Sequence, residues 1–179
     1  RTMIKTSSPM RIAIAGTNND SMYSGGRYHA LIVAYALARI GMDVTFITNK
    51  RPRFVDDLDP LAPGQVKYVF TPDFRSSIPK ENFDYVILIP TGIFLPEFYE
   101  AVFEFARGAR ARMALINFES GNWFNAVSPA PRDLRLWEYW RRAVAESGLV
   151  ISSLRTSDLY AREFYDAVNP EDLRFEVCG

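Results

Sequence analysis

Cysteine occurs once in the 179 residues, at Cys178, and histidine once, at His29. One thiol builds neither a disulfide framework nor a cysteine-ligated zinc site within a chain, and it fits a reducing cytoplasm. One imidazole leaves a Ser-His-Asp relay a single candidate, and no Gly-x-Ser-x-Gly elbow accompanies it. Neither sign of charge is in excess: Lys plus Arg is 21 and Asp plus Glu is 21. A broad nucleic-acid surface needs a basic surplus, so no nucleic-acid partner is expected, although a local anion site stays open. No apolar run approaches the ~18 residues of a membrane span. The signature of disorder is missing as well, since apolar residues make up 48% and charged residues 23%, the ordinary globular range. At ~100–200 residues per domain the length suits one domain.

What is present is a rhythm of strands and helices. Arg11 to Gly16 is a short β-branched run ending in glycine, the pattern of a buried parallel strand. The polar stretch Thr17 to Ser24 follows, and Gly25-Gly26 opens a segment running to Ile40. That segment is apolar almost all round and too long for a strand, which predicts a buried helix with Gly41 as its C-terminal cap. Val44 to Thr48 is the next strand, completing a βαβ unit with a right-handed crossover. Further strands are expected at Val66–Phe70, Tyr85–Ile89, Arg112–Asn117, Leu149–Ser153 and Arg174–Val177. Helices are expected at Leu95–Arg107, with Phe98, Val102 and Phe105 on one side, from Asp133 or Leu134 to Glu146, and at Ser157–Tyr165. Lys50 to Gly64, with Pro52, Pro60 and Pro63, reads as irregular. This alternation predicts an open, doubly wound, mostly parallel α/β sheet of Rossmann-like type. Ligands of such sheets sit beyond the carboxyl ends of the strands.

Two stretches carry a family resemblance. The run Ser24-Gly25-Gly26-Arg27-Tyr28-His29-Ala30-Leu31, continued by Ala36-Leu37-Ala38-Arg39-Ile40-Gly41-Met42-Asp43-Val44-Thr45-Phe46-Ile47-Thr48, resembles the opening βαβ of the GT-B glycosyltransferases, especially the retaining family-4 type. Met42 and Asp43 stand where that family usually has His and Glu. The run Val150-Ile151-Ser152-Ser153-Leu154-Arg155-Thr156-Ser157-Asp158-Leu159-Tyr160 is similar to the strand–serine–helix element near the end of the family's N-terminal domain. Phe118-Glu119-Ser120 stands where many members carry a histidine. The resemblance implies one half of a two-domain enzyme: a flexible leader over residues 1–9, then an acceptor-side Rossmann-like domain over 10–179, with the donor domain absent. It implies transfer of a sugar from a nucleotide-sugar to a hydroxyl acceptor, a saccharide or lipid-linked saccharide, as part of carbohydrate biosynthesis. The nucleotide-sugar is then a co-substrate, with no metal and no further cofactor. The location implied is cytoplasmic; Arg141-Arg142 read as a solvated helix face, the alternative being a basic helix that makes peripheral contact with anionic lipids at the inner membrane face.

The candidate site residues follow, each with a plainer alternative. Gly25, Gly26 and Arg27 at a helix N-terminus suit donor phosphates; otherwise they are a tight turn with a solvated arginine. Arg155, at a strand end before the N-cap candidate Ser157, is a second phosphate contact, or part of a capped turn. Glu119 is the catalytic candidate, with Asn122, Trp123 and Ser153 lining the acceptor side; otherwise this is a solvated loop with Trp123 plugging the core edge. His29 in the first turn of an apolar helix is expected to be buried. Trp137, Trp140 and Val144 at helical spacing read as core. Asp57-Leu58-Asp59 spells a metal motif of another glycosyltransferase fold, but in a proline-rich irregular stretch it is set aside. The competing functions are a stand-alone nucleotide- or sugar-binding module and a Rossmann-like oxidoreductase domain. The absence of Gly-x-Gly-x-x-Gly weighs against the latter.

Overall fold

The computed structural model describes residues 8–18, 25–77, 82–89, 96–117, 149–152 and 174–177. Among them, strands β1 (Arg11–Gly16), β2 (Asp43–Thr48), β3 (Val66–Phe70), β4 (Tyr85–Ile89), β5 (Arg112–Asn117), β6 (Leu149–Ser152) and β7 (Arg174–Val177) form one seven-stranded sheet. Its order is β3-β2-β1-β4-β5-β6-β7, and every pair is parallel. This is the doubly wound, Rossmann-like α/β fold expected from the alternation. The order reverses between β1 and β4, which sets the switch point there.

The helices are α1 (Gly25–Arg39), α2 (Phe54–Leu58), α3 (Phe74–Ser77) and α4 (Pro96–Gly108). The crossovers through α1 and α4 run in opposite directions along the sheet, so right-handed connections place them on opposite faces. The alternation of strand side chains agrees. Ile12, Ile14, Val44, Phe46, Ile87 and Ile89 join Ala30, Leu31, Ala34 and Tyr35 of α1 in one core cluster. On the other face Phe74 of α3 meets Phe98 and Phe105 of α4 edge-on, at centroid distances of 5.3 and 6.0 Å.

Helix α1 departs from the all-round burial expected of it. Ala30, Leu31, Ala34 and Tyr35 are buried, whereas His29, Ile32 and Ala36 face outward. A sheet covers only one side of a helix, so the apolar residues on the far side stay at the surface. His29 is therefore exposed rather than buried, with Tyr28 beside it in a tilted ring contact. The end of α1 is as expected. Gly41 has φ +92°, its N–H donates to the Ala38 carbonyl at 3.0 Å, and the Met42 N–H donates to Leu37 at 3.2 Å. These are the two bonds of a Schellman cap, whose left-handed residue favours glycine.

The stretch 50–64 is more ordered than its prolines suggest. It holds α2 and a 3₁₀ turn, Asp59–Leu61. Phe54 and Val55 are fully buried and anchor the stretch to α1, with the Phe54 ring edge-on to Tyr28 at 5.9 Å. Asp59, from the rejected metal motif, accepts a hydrogen bond from the Tyr68 hydroxyl at 3.0 Å. Tyr68 and Tyr35 hydroxyls share a second bond of 2.5 Å. Asp59 thus holds a tyrosine pair against α1 and β3.

Burial is the main cause that raises both phenols above their ordinary value of about 10. A phenol that ionises later in the folded than in the unfolded chain leaves stability flat below pH ~10. Above that, the unfolded chain releases its protons first, and stability falls as pH rises. Tyr68→Phe is expected to flatten this alkaline loss. At neutral pH it should cost about 0.5–1.5 kcal/mol. Urea titrations of both proteins from pH 7 to 11 check both effects, and parallel pH profiles would refute the first.

Candidate functional site

The carboxyl edge of the sheet is assembled by register. Gly16 pairs with Thr48 on one side and with Ile89 on the other, and Thr48 pairs with Phe70. The last residues of β1, β2, β3 and β4 therefore lie level. Gly16 suits a close approach: a Cβ there would stand 3.1 Å from the Ile89 carbonyl oxygen and 3.2 Å from the Ile89 Cβ, so β4 would have to give by a few tenths of an ångström.

Beyond this line the chain uses its polar side chains to tie loops together. Asn18 donates its N–H to Asn49 Oδ1 at 2.6 Å, and Asn49 Nδ2 donates back to the Asn18 carbonyl at 3.1 Å. Thr48 Oγ1 donates to the Lys50 carbonyl at 2.6 Å and closes the turn after β2. Across the switch point, Tyr99 of α4 places its hydroxyl 3.1 Å from Thr17 Oγ1 and 3.4 Å from the Ile89 carbonyl. One buried side chain thus touches the ends of both β1 and β4. Thr71 Oγ1 accepts from the Asp73 N–H at 3.1 Å and holds the turn after β3. Arg51 pairs with Asp56 and stacks over the Phe70 ring at 5.3 Å.

Gly25, Gly26 and Arg27 form the first turn of α1, the helix that leaves this edge after β1. A helix N-terminus carries a partial positive charge and N–H groups without intrahelical partners, which suit an anion. Glu119, Asn122, Trp123, Ser153 and Arg155 lie outside the described residues, as do Trp137, Trp140, Val144 and the Arg141-Arg142 pair. β6 ends at Ser152, one residue before Ser153. Three residues of this edge were not singled out from the sequence: Asn18, Asn49 and Tyr99. The signal available was position, an asparagine just past the end of each of two strands and a tyrosine beside Phe98 in the first turn of a helix.

A wider open depression of about 1020 Å³ lies at the opposite, amino-terminal edge, with Met10, Gly41, Met42, Asp84, Arg110 and Arg112 in its wall. Its polar groups hold strands in place: Asp84 Oδ2 accepts the Arg11 N–H at 2.8 Å. Ligands of this fold sit at the other edge, so size alone does not make this depression the site. No helix among the described residues is long and apolar enough to cross a membrane.

No protein-family profile and no curated protein matches the chain. Solved structures do. An oxidoreductase of the short-chain dehydrogenase/reductase family from Burkholderia thailandensis matches over 88% of this chain and 74% of its own, at 16% identity and a TM-score of 0.49. Arabidopsis thaliana UGT89C1, a GT-B glycosyltransferase complexed with UDP-L-rhamnose, matches over 97% of this chain at 14% identity and a TM-score of 0.60. The match covers 53% of that chain, so the present one spans about half its length. At this identity the likeness establishes the fold alone: a Rossmann-like α/β domain.

Proposed function

We propose that the chain is the acceptor-side half of a GT-B glycosyltransferase, of the retaining family-4 kind, that moves a sugar from a nucleotide-sugar to a hydroxyl acceptor. The observation that carries this reading is the extent of the structural match. Nearly the whole chain superposes on about half of the Arabidopsis protein whose complex holds UDP-L-rhamnose. The glycine pair at the start of α1, at the carboxyl edge of the sheet, supports it further.

In this reading the N–H groups of Gly25 and Gly26, with Arg27 and Arg155, hold the donor diphosphate as the two halves close. Asn122, Trp123 and Ser153 orient the acceptor saccharide or lipid-linked saccharide, amide and hydroxyl to its hydroxyls and indole to its apolar face. Glu119 serves the reacting hydroxyl. The chemistry uses positioning rather than a metal or cofactor. The remaining partner is a donor domain, and the setting is cytoplasmic, with peripheral contact at the membrane face.

The chain alone is expected to give no turnover when mixed with nucleotide-sugars and saccharide or lipid-linked acceptors, because the group that grips the nucleotide is on the other half. Product release is measured by chromatography of labelled sugar. Efficient turnover by the chain alone overturns the half-enzyme reading.

A further inference from the structure

Asn18 is about 1% exposed, and neither its Oδ1 nor its Nδ2 has a hydrogen-bond partner. Its main chain, by contrast, is fixed on both sides by Asn49. A buried carboxamide with no partner is costly, and folded proteins seldom keep one unless something else pairs with it. Asn18 borders a cavity of about 10 Å³ that it shares with Gly16, Thr17, Ala30, Phe46, Thr48 and Ile89. That is room for one oxygen-sized group. The cavity sits beside the switch point, between the carboxyl ends of β1, β2 and β4 and the second turn of α1. The nearby hydroxyls have partners of their own, Thr48 with the Lys50 carbonyl and Thr17 with Tyr99.

The chemistry of the orphaned group selects its ligand. Oδ1 only accepts and Nδ2 only donates. A phosphate oxygen satisfies Nδ2 and repels Oδ1, and a cation does the reverse. A hydroxyl accepts from Nδ2 and donates to Oδ1. We propose that Asn18 is a binding residue for a saccharide hydroxyl at the switch point. One water fills the cavity in the free protein, and the sugar's oxygen replaces it on binding. This rests on the sugar-transfer reading and assigns to the loop after β1 a neutral hydroxyl contact, separate from the phosphate contact at Gly25 and Gly26.

The test follows the side-chain amide resonances of Asn18 in the full chain by ¹H–¹⁵N NMR. The probes are glucose, galactose, mannose, rhamnose, UDP-glucose, UDP and inorganic phosphate, each at millimolar concentration. At least one sugar-bearing probe is expected to shift the Asn18 resonances, while UDP and phosphate leave them in place. Free sugars acting alone point to the acceptor as the source of the hydroxyl, and UDP-glucose acting alone points to the donor. Asn18→Leu, which keeps the shape and removes the polar atoms, is expected to weaken the active probe about tenfold or more. Asn18→Ser is the second variant, and the wild-type spectra decide if neither folds.

Backbone shifts at Gly25 and Gly26 with Asn18 unmoved would overturn this inference and leave the sugar-transfer reading standing. A cross-peak from Asn18 to a bound water that persists at saturation overturns it too, as a purely structural water site. Silence from every probe removes both the inference and the acceptor-side reading beneath it.

Discussion

Tyr99→Ala is expected to lower the unfolding free energy by about 3–5 kcal/mol, a large share of the ~5–15 kcal/mol that holds a domain of ordinary stability. Tyr99 is about 1% exposed and is among the largest fully buried side chains of the chain. Its ring packs edge-on against Phe98 at 5.7 Å. Its hydroxyl reaches Thr17 beyond β1 and the Ile89 carbonyl at the end of β4. Alanine removes the ring, opens a cavity under the switch point and strips a partner from both strand ends. Tyr99→Phe keeps the ring and is expected to cost only about 0.5–1.5 kcal/mol. Urea unfolding of the two variants separates packing from hydrogen bonding. Equal losses would place the energy in the hydroxyl, and a loss below about 1 kcal/mol for alanine would contradict the packing described for Tyr99.

Gly16→Val is expected to cost about 1–3 kcal/mol through overpacking and to abolish sugar binding in whatever fraction folds. The first carbon of the new side chain would stand 3.1 Å from the Ile89 carbonyl oxygen. That oxygen belongs to a strand paired to β1 and faces Tyr99 as well, so it cannot step aside cheaply. The two further carbons of valine would enter the cavity that Gly16 borders. Thermal unfolding measures the first effect and titration with the active saccharide measures the second. An unchanged melting temperature would mean that β4 yields. Full binding in a folded variant would separate the cavity from the ligand.

The architecture was legible because its signals are local. Ile12, Ile14, Val44, Phe46, Ile87 and Ile89 sit in short β-branched or aromatic runs that only buried strands explain. Gly41 follows an apolar segment at the position where a helix needs a left-handed residue. Strand ends were legible to within about one residue. The errors arose where tertiary packing decides. Which side of α1 meets the sheet depends on the sheet, so His29 was misplaced. The helices α2 and α3 are too short to show a period, and it is the burial of Phe54 and Phe74 that fixes them. The glycine pair of α1 was visible as a break before a long apolar run. Asn18 was not, because an asparagine after a strand reads as a turn former. What makes it unusual is its burial and a clamp from Asn49, thirty-one residues further along.

β3 forms one border of the sheet and has only five residues, four of them partly buried or exposed. The outer row of peptide groups on such a strand is a template on which a stray chain can crystallise as cross-β. Lys67 stands in this strand with an exposed ammonium held 3.0 Å from Asp43 of β2. Its charge, and the brevity of the strand, deny an intruding segment a long uncharged rail. Both features work against fibrillar pairing along this border of the described sheet.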